Sequence, residues 1–493
     1  MIFFSSSTAS HSPVPPEAYT RIPCPGFDTS GNEKDALVLY GWVVKGQLQV
    51  SNLRSAWWKL LQAWPILAAR LRIGAKAKAD EPLNWFYLVP QPDGLRKLKE
   101  EEEAKEDSDK SRIFSYVDRR PQAISSVYSF TRGSELPQDR PSVARIDDNL
   151  DLWAPNSARS VKELTSAPSR ACVTVHVTSF EDATMVAFST PHVLCDGVGG
   201  KEIAEAWSAI VRGEPAPGPL THLGTDPYSS LSTPSAEPPS PPGWRVFGTL
   251  DLIRFGIRFA TDVFFWRPPS VIENREVYLP KTYLEAIKKK AMDDLGDDGR
   301  WVSTSDAVLA WIIKRAHAGK LNDSRILSVL YPSNLRWLPP AEGMEALPLP
   351  YLQNGAFTVV LPELAASEFV SGLSLGELAH LIRTTLETQT TPAEIRKSLT
   401  WRLWSRGKVA VFFAPTSHWF LVTNWRRMKL YDLDFGGEVM KVWGHGIHPV
   451  PMRNSFGQVA DDPSGGLWLG GYLSQKEWEE GFGEFMEGSE GKD

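Results

Sequence analysis

The sequence predicts a two-domain α/β protein. Its 493 residues exceed the usual size of one domain and supply enough apolar side chains for two cores. Runs of β-branched and apolar residues alternate with segments in which apolar residues recur at helical spacing, as in sheets flanked by helices. A proline-rich stretch separates two such series. We therefore expect an N-terminal domain over residues 1–212, an interdomain crossover over 213–243 and a C-terminal domain over 244–493.

Charge and composition exclude several classes of protein. The 53 basic and 59 acidic residues give a net charge of −6 and are mixed along the chain. This distribution leaves no basic footprint for nucleic acid or for an anionic membrane. A hydrophobic content of 42% with 19 tryptophans fits a well-packed globular protein with aromatic-lined cavities rather than a disordered chain.

The cysteines and the first four residues lead to an expectation about the cellular compartment. Cys24, Cys172 and Cys195 form no CxxC pair, which argues against a disulfide framework or a structural zinc site and favours a reducing compartment. The segment Met1–Phe4 lacks a basic start and is too short for the core of a signal peptide. We expect a cytoplasmic monomer.

The first elements follow a surface segment. Residues 1–35 are rich in Ser, Pro and Gly, and 37–44 read as a strand. Ser51 is the predicted N-cap of a helix whose apolar face carries Leu53, Trp57, Leu60, Leu61 and Trp64. Residues 93–112 are almost all charged and predict a solvated insertion. Residues 119–169 lack a clear period and predict irregular structure.

Two predicted strands then lead into the most informative stretch of the chain. Residues 173–178 and 184–190 are rich in β-branched side chains, with a turn between them. They are followed by His192-Val193-Leu194-Cys195-Asp196-Gly197, and then by a helix over 201–211 with apolar residues at helical spacing. The histidine thus lies where a strand end, which is rigid, meets a glycine turn that leaves room for a substrate.

Three interpretations of this stretch compete. His192 could be a core histidine with a satisfied hydrogen bond. Alternatively, Gly197 to Gly200 could form a dinucleotide-binding turn, but the third glycine position of GxGxxG is Glu202, whose charge would face a pyrophosphate. The third interpretation makes His192 a general base in a loop held in shape by Asp196.

The middle of the chain contains a linker and an unusual apolar stretch. The proline density of 213–242 excludes a helix or a central strand. Residues 244–266 are mostly apolar but carry five charges that disqualify a membrane span: Arg245, Asp251, Arg254, Arg258 and Asp262. A packed amphipathic helix or an interfacial helix that touches a membrane remains.

The second half continues the alternation of strands and helices. Ser303, followed by Asp306, is a good N-terminal signature for an amphipathic helix. A further helix is predicted around 284–292, and strands are predicted at 275–279, 326–336, 409–413 and 419–423.

Two motifs together resemble the BAHD family of coenzyme A-dependent acyltransferases, in particular its fungal branch. The hexapeptide from His192 resembles the family's HxxxDG, and Asp434-Phe435-Gly436-Gly437-Glu438 resembles its DFGWG, with Gly437 and Glu438 in place of Trp and Gly. The approach over 423–431 is similar to the family's T-S-W segment. The resemblance covers most of the chain and implies a chloramphenicol-acetyltransferase-like fold, with mixed sheets flanked by helices and an active site in a channel between two domains.

The resemblance also implies roles for individual residues. His192 would be the general base. Asn334-Leu335-Arg336 resembles the family's D/N-x-R segment, so Arg336 would hold Asp196 in a bidentate salt bridge, and a buried Asp196 needs such a partner. Asp434 would shape the channel wall without touching substrate.

Three further residues are implied near the reacting groups. Thr423 and Trp425 correspond to family positions that face the acyl group, where a hydroxyl and an indole N–H could donate to an oxyanion; ordinary core roles are the alternative. Ser303 begins the helix near which the family places coenzyme A, and a helix N-terminus offers N–H groups to phosphate; a plain cap is the alternative.

The expected function is transfer of an acyl group, acetyl by default, from acyl-CoA to a hydroxyl or amine of a small secondary metabolite. No metal is expected, because no carboxylate or cysteine completes a ligand set with His445 and His448. Neither a nucleic-acid partner nor stable membrane insertion is expected. Two alternatives stay open: a non-acylating relative that binds or cyclises a metabolite, and a hydrolase or transferase that uses Cys195, although strand-end neighbours diverge in direction.

Overall fold

The computed structural model describes residues 18–74, 84–107, 109, 112–147, 149–220, 223, 225–231, 234–297, 299–449 and 452–486. The predictions for Met1–Phe4 and for the rest of 1–17 lie outside the described residues.

The α-helices of the described part range from short turns to fifteen-residue helices. They are α1 Val50–Ala63, α2 Pro92–Glu103, α3 Leu150–Trp153, α4 Val161–Ser166, α5 Gly197–Val211, α6 Thr249–Thr261, α7 Lys281–Leu295, α8 Thr304–Ala316, α9 Leu375–Gln389, α10 Pro392–Trp404 and α11 Gln475–Phe482.

The strands of the same residues are distributed along the whole chain. They are β1 Tyr19–Pro23, β2 Leu37–Lys45, β3 Arg70–Gly74, β4 Asn84–Pro90, β5 Phe114–Arg119, β6 Ser142–Arg145, β7 Thr174–Phe180, β8 Ala183–Pro191, β9 Arg245–Val246, β10 Ile272–Leu279, β11 Ile326–Asn334, β12 Ala356–Val360, β13 Leu364–Ala365, β14 Ala410–Val411, β15 His418–Asn424, β16 Val439–Ile447, β17 Ser455–Asp461 and β18 Leu467–Ser474.

Two large mixed sheets dominate the architecture. One has five strands in the order β16-β2-β8-β7-β5, and the other has eight, in the order β12-β11-β15-β17-β18-β10-β6 with β13 paired to β11. The ladders are antiparallel except for β5 with β7, β11 with β15 and β15 with β17. Smaller sheets join β1-β4-β3 and β14-β9. The predicted α/β class, with mixed sheets flanked by helices, is confirmed.

The five-stranded sheet is buried on both faces, and its sequence shows why. Along β2, Tyr40, Trp42 and Val44 pack into the cluster that includes α1 and α5. Leu39 and Val43, which alternate with them, pack on the opposite side against Trp153 and Trp443. Because successive side chains of a strand point to opposite faces, a strand between two cores carries apolar residues at every position.

The two predicted domains exchange strands. β16, from the C-terminal part of the chain, pairs with β2 in the five-stranded sheet, and β6, from the N-terminal part, pairs with β10 in the eight-stranded sheet. Between α5 and β9 the described residues form no helix or strand, as the proline density of 213–242 predicts. The domain boundaries at 212 and 244 remain a prediction.

Several local predictions were wrong. α1 begins at Val50, and its N-cap is Gln49, without a side-chain hydrogen bond, rather than Ser51. The charged segment 93–112 contains most of α2, because Leu95 and Leu98 among its charges are buried. The weakly periodic residues 119–169 contain β6, α3 and α4.

The apolar stretch near Trp266 is helical. α6 continues through Asp262–Trp266 as a wider π-helical turn. The described part of the chain contains no helix with the length and apolarity needed to cross a membrane.

Candidate active site

His192 follows the last residue of β8 and is fixed through its backbone. Its N–H donates to the carbonyl of Ala36 (2.9 Å), and its carbonyl accepts from the side-chain amide of Asn354 (2.8 Å). The Nδ1 atom of the ring is buried and has no hydrogen-bond partner. His192 also lines the adjoining cavity, and a general base has to lie within reach of its substrate.

Asp196 organises the turn that follows His192. It is the N-cap of α5, where its Oδ1 accepts from the N–H of Gly199 (2.9 Å). Its Oδ2 accepts from the N–H of Gly355 (2.8 Å) and from the side-chain amide of Asn334 (2.9 Å). A Cβ on Gly199 would lie 2.0 Å from the carbonyl oxygen of Leu352, so this glycine allows the two segments to approach closely.

Arg336 contacts Asp196 through one guanidinium nitrogen rather than two. Its Nη1 alone reaches both carboxylate oxygens, at 2.9 and 3.1 Å. Nε and Nη2 donate instead to the backbone carbonyls of Tyr351 and Gln353. The predicted bidentate geometry was wrong, because the guanidinium is shared between the carboxylate and a loop of carbonyls. Burial alone would raise the pKa of Asp196, but Arg336 and the N–H of Gly199 hold it below its usual range.

A cavity of about 540 Å³ lies beside His192. Its wall combines residues of both large sheets: Val38 of β2, Trp443 of β16, Thr423 of β15 and Gly457 of β17 contribute to it with His192. Aromatic side chains also line it: Phe27, Trp244, Trp337, Phe357, Trp401, Phe412, Phe413, Trp425, Phe456, Trp468 and Tyr472. The cavity thus has the size of a small-molecule site, with a mainly apolar wall surface.

Thr423 and Trp425 both line this cavity. A Cβ on Gly457 would lie 3.1 Å from Thr423 Oγ1, and a Cβ on Gly197 would lie 3.6 Å from the indole nitrogen of Trp425. Within the described parts of the chain, neither the hydroxyl nor the indole N–H donates to a protein acceptor. Both donors are therefore available to a molecule bound in the cavity, and that of Trp425 lies next to the turn that follows His192.

Asp434 and Ser303 do not line the cavity. The exposed side chain of Asp434 accepts from the N–H of Gly436 (2.8 Å) and thereby fixes a tight turn; Gly436 has a φ of +101°, which favours glycine. The buried member of this motif is Phe435, which packs against Trp42 and Trp207. Ser303 caps α8 in a reciprocal capping box with Asp306, and Asp306 also pairs with Arg383 (2.6 Å).

Two acids that no sequence pattern singles out are linked to the region of His192. Glu33 lines the cavity and forms an ion pair with Arg402. Burial opposes its ionisation, but the charges of Arg402 and His192 lower the pKa of its carboxyl. Asp28 is buried and accepts from the backbone N–H of Asn354 (3.1 Å). Both acids lie in the segment that was predicted only to cover the surface, and their partners are more than 300 residues away in sequence.

Cys195 and His445 are less suited to nucleophilic catalysis and to metal binding, respectively. Cys195 is fully buried, its Sγ lies 3.4 Å from Thr190 Oγ1, and burial raises the pKa of its thiol to about 12. A thiol that stays protonated is a poor nucleophile. His445 contacts the hydroxyl of Tyr472 (3.1 Å), and no cluster of three metal-ligating side chains occurs among the residues that the structure describes.

The sequence is similar to a known family and to named acetyltransferases. The model of the Transferase family matches residues 154–460. The chain is 28% identical to the acetyltransferase MAT1 of Pseudozyma antarctica (strain T-34), over 96% of this chain and 98% of that protein. It is 26% identical to the acetyltransferase MATC1 of Mycosarcoma maydis, over 85% of this chain and 84% of that protein.

Solved structures share the fold. TRI101 of F. graminearum, in complex with coenzyme A and T-2 mycotoxin, superposes with a TM-score of 0.64 at 14% identity, covering 93% of this chain and 96% of that one. Vinorine synthase superposes with a TM-score of 0.57 at 14% identity, over 93% and 91% of the two chains. The match of the family model spans well over half of the 493 residues, and the chain therefore belongs to the Transferase family, the BAHD-type acyltransferases that use acyl-CoA as donor.

Proposed function

We propose that the protein transfers an acetyl group from acetyl-CoA to a hydroxyl or amine of a small, largely apolar secondary metabolite, with His192 as general base. The observation that carries this proposal is the placement of the His192 ring at the wall of a 540 Å³ apolar cavity, with Nδ1 buried. The choice of acetyl is supported by the names of the relatives, which are acetyltransferases.

The proposed reaction needs one proton acceptor and no covalent enzyme intermediate. Nε2 of His192 takes the proton of the acceptor's hydroxyl or amine as that atom attacks the thioester carbonyl. The tetrahedral intermediate then collapses, the carbon–sulfur bond breaks, and the coenzyme A thiolate takes the proton back from His192. Since the proton taken in the first step is returned in the second, the enzyme ends in its initial state.

Thr423 and Trp425 are our candidates for stabilising the oxyanion. Both line the cavity, and both have donors without a protein acceptor in the described chain. A preorganised donor aimed at developing charge stabilises the transition state more than the ground state.

We place the phosphates of coenzyme A near the start of α8. Ser303 caps this helix, and Arg426 donates to Ser305 Oγ (3.2 Å) in its first turn. The guanidinium of Arg427 lies 5.2 Å above the ring of Trp337, which lines the cavity. Arg426 also pairs with Asp461 (2.7 Å). Helix N–H groups and arginines suit a polyanion.

The test is the substitution His192→Ala. We expect turnover to fall by about 10²–10⁴-fold, the usual contribution of a positioned general base, while the melting temperature stays close to that of the wild type. A panel of apolar alcohols and amines is incubated with acetyl-CoA; free thiol and the acetylated product are measured by absorbance and mass spectrometry.

His380→Ala is the matched control, since His380 lies on α9 and is not among the cavity residues. Its turnover should match the wild type. If His192→Ala were as active as His380→Ala, the role of His192 would be wrong.

Two alternatives have separate tests. Cys195→Ala should retain full turnover, because the buried thiol is not ionised; loss of product with a folded protein would favour a cysteine enzyme. A non-acylating relative would bind acetyl-CoA in a calorimetric titration but release no thiol with any acceptor. We expect both binding and thiol release.

A further inference from the structure

The outward face of α6 is apolar. Leu250, Ile253 and Ile257 recur at helical spacing on this face, and Phe264, Phe265 and Trp266 follow in the π-helical turn. These six residues, which we call the apolar ridge, are between 53% (Ile253) and 80% (Phe265) exposed. A helix on the surface of a globular protein normally directs charged residues outward, so this pattern indicates a contact surface.

The opposite face of α6 holds the helix on the protein. Phe255 stacks on Phe259 (5.6 Å between ring centroids) and packs against Phe413 (5.4 Å). Arg258 donates to the carbonyl of Ser417. This face supplies the anchoring contacts, whereas the ridge residues are mostly exposed.

The charged residues around the ridge bear on the kind of surface that it could contact. Asp251 caps the helix by accepting from the N–H of Gly248, and Asp262 is neutralised by Arg267 and Arg453. Arg254 is exposed next to the ridge, and no described residue forms an ion pair with it. The ridge therefore combines an apolar stripe, an aromatic end with one Trp and a free positive charge, on a chain of net charge −6.

We propose that the apolar ridge docks the enzyme reversibly on the surface of an anionic lipid bilayer, with α6 lying in the plane of the interface. Apolar and aromatic side chains enter the boundary between headgroups and acyl chains, while a basic side chain meets anionic headgroups. A second copy of the chain fits the ridge less well, because pairing identical ridges would bring two Arg254 side chains to one apolar surface.

Docking would bring one wall of the cavity close to the lipid. Phe412 and Phe413 line the cavity, and Phe413 contacts Phe255 on the inner face of α6. The helix α6 and its contact with Phe413 thus connect the ridge to the cavity wall.

The test is flotation of the full-length protein with vesicles of phosphatidylcholine alone or mixed with phosphatidylserine. We expect binding to the mixed vesicles and weaker binding to the neutral ones. The double substitution Ile257→Ser and Phe265→Ser should lower the partition coefficient about tenfold or more, from the lost burial of two apolar side chains. Arg254→Gln should lower it about fivefold on mixed vesicles only.

Leu349→Ser is the matched control, because Leu349 is 71% exposed and lies outside the ridge; its partitioning should equal that of the wild type. Circular dichroism should show all variants folded, since the substituted side chains are exposed. No binding to either vesicle, or equal binding of the ridge variant and the wild type, would overturn the proposal. So would a dimer in light scattering that the ridge substitutions dissociate. Flotation does not depend on acetyl transfer, so the two proposals can fail separately.

Discussion

The carboxylate of Asp196 is the hydrogen-bonded centre of the turn that follows His192. The N–H groups of Gly199 and Gly355, the amide of Asn334 and the guanidinium of Arg336 all donate to it. These contacts join the turn after His192 to two segments more than 130 residues away in sequence. A carboxylate whose lone pairs are satisfied in this way stays ionised although it is buried.

At this scale we predict that Asp196→Ala lowers the free energy of unfolding by about 3–5 kcal/mol, because Arg336 would be left buried without its counter-ion. The double substitution Asp196→Ala with Arg336→Met should be less destabilised than Asp196→Ala alone, as urea unfolding of all variants would show. Asp151→Ala removes an exposed ion pair with Arg159 and should cost about 1 kcal/mol or less. A similar loss at both aspartates would contradict the prediction.

The pairing of Asp196 with Arg336 could be anticipated because both residues lie in motifs that resemble those of a known family. Its geometry could not, since the carbonyls of Tyr351 and Gln353 that compete for the guanidinium come from an irregular loop. The ion pair of Glu33 with Arg402 could not be predicted either. Glu33 belongs to no periodic pattern, because the segment around it is rich in Ser, Pro and Gly.

The N-termini of α8 and α1 show when local sequence determines where a helix begins. The start of α8 was predicted from Ser303 and Asp306, because a capping box is built from residues three apart. The N-cap of α1 was assigned to Ser51, but the N-cap is Gln49, two residues earlier, and it has no side-chain hydrogen bond. There the burial of Leu53, Trp57, Leu60 and Leu61 decides where the helix lies, and propensity at its end does not matter.

At the scale of the element, we predict that Ser303→Ala costs about 0.5–2 kcal/mol of stability through loss of the cap and also raises the KM for acetyl-CoA. Ser374→Ala is the matched control, because Ser374 forms the same capping box with Glu377 at α9. Urea unfolding should show similar losses in both variants, whereas steady-state kinetics should show a changed KM only at Ser303. If KM changed in neither variant, Ser303 would be a cap and nothing more.

The charged segment 93–112 shows the limit of composition as a guide. Its acids suggested a solvated insertion, yet Glu102 is buried and accepts from the N–H of Ile113 (2.7 Å). Leu95 and Leu98, spaced three apart, supply the apolar contacts of α2. Two apolar residues among many charges are too few for a periodicity argument, although they are enough to attach a helix of twelve residues.

At the scale of the whole molecule, the two sheets are tied together by exchanged strands. β16 completes the five-stranded sheet and β6 completes the eight-stranded one, so each sheet requires chain from both sides of the proline-rich linker. The composition of 213–242 predicted a stretch without helix or strand, which the described residues of that range show. Strand order, by contrast, depends on pairing between distant segments, which no local pattern encodes. The cavity between the sheets is a product of this long-range pairing.

Asp28 is a second link between distant parts of the molecule. It accepts from the N–H of Asn354, from its side-chain amide and from the amide of Gln353. Burial nevertheless raises the pKa of its carboxyl from 3.8 to about 8, although these hydrogen bonds oppose the shift. The Oε1 atom of Gln353 is buried and has no hydrogen-bond partner. If the side-chain amide rotated by half a turn, Oε1 would take the place of Nε2 beside Asp28. A protonated Asp28 could then donate a hydrogen bond to Oε1.

We predict that this acid makes the protein less stable as the pH rises. Between its unfolded pKa near 3.8 and its folded pKa of about 8, the folded state keeps a proton that the unfolded state has released. The contribution of Asp28 to stability is therefore complete below the unfolded pKa and is lost as the pH rises through the folded one. Asp28→Asn, which is neutral at every pH, should gain stability relative to the wild type between about pH 4 and pH 8. Urea unfolding of both proteins across this range measures the difference, and a difference that does not vary with pH would show that Asp28 is ionised in the folded state.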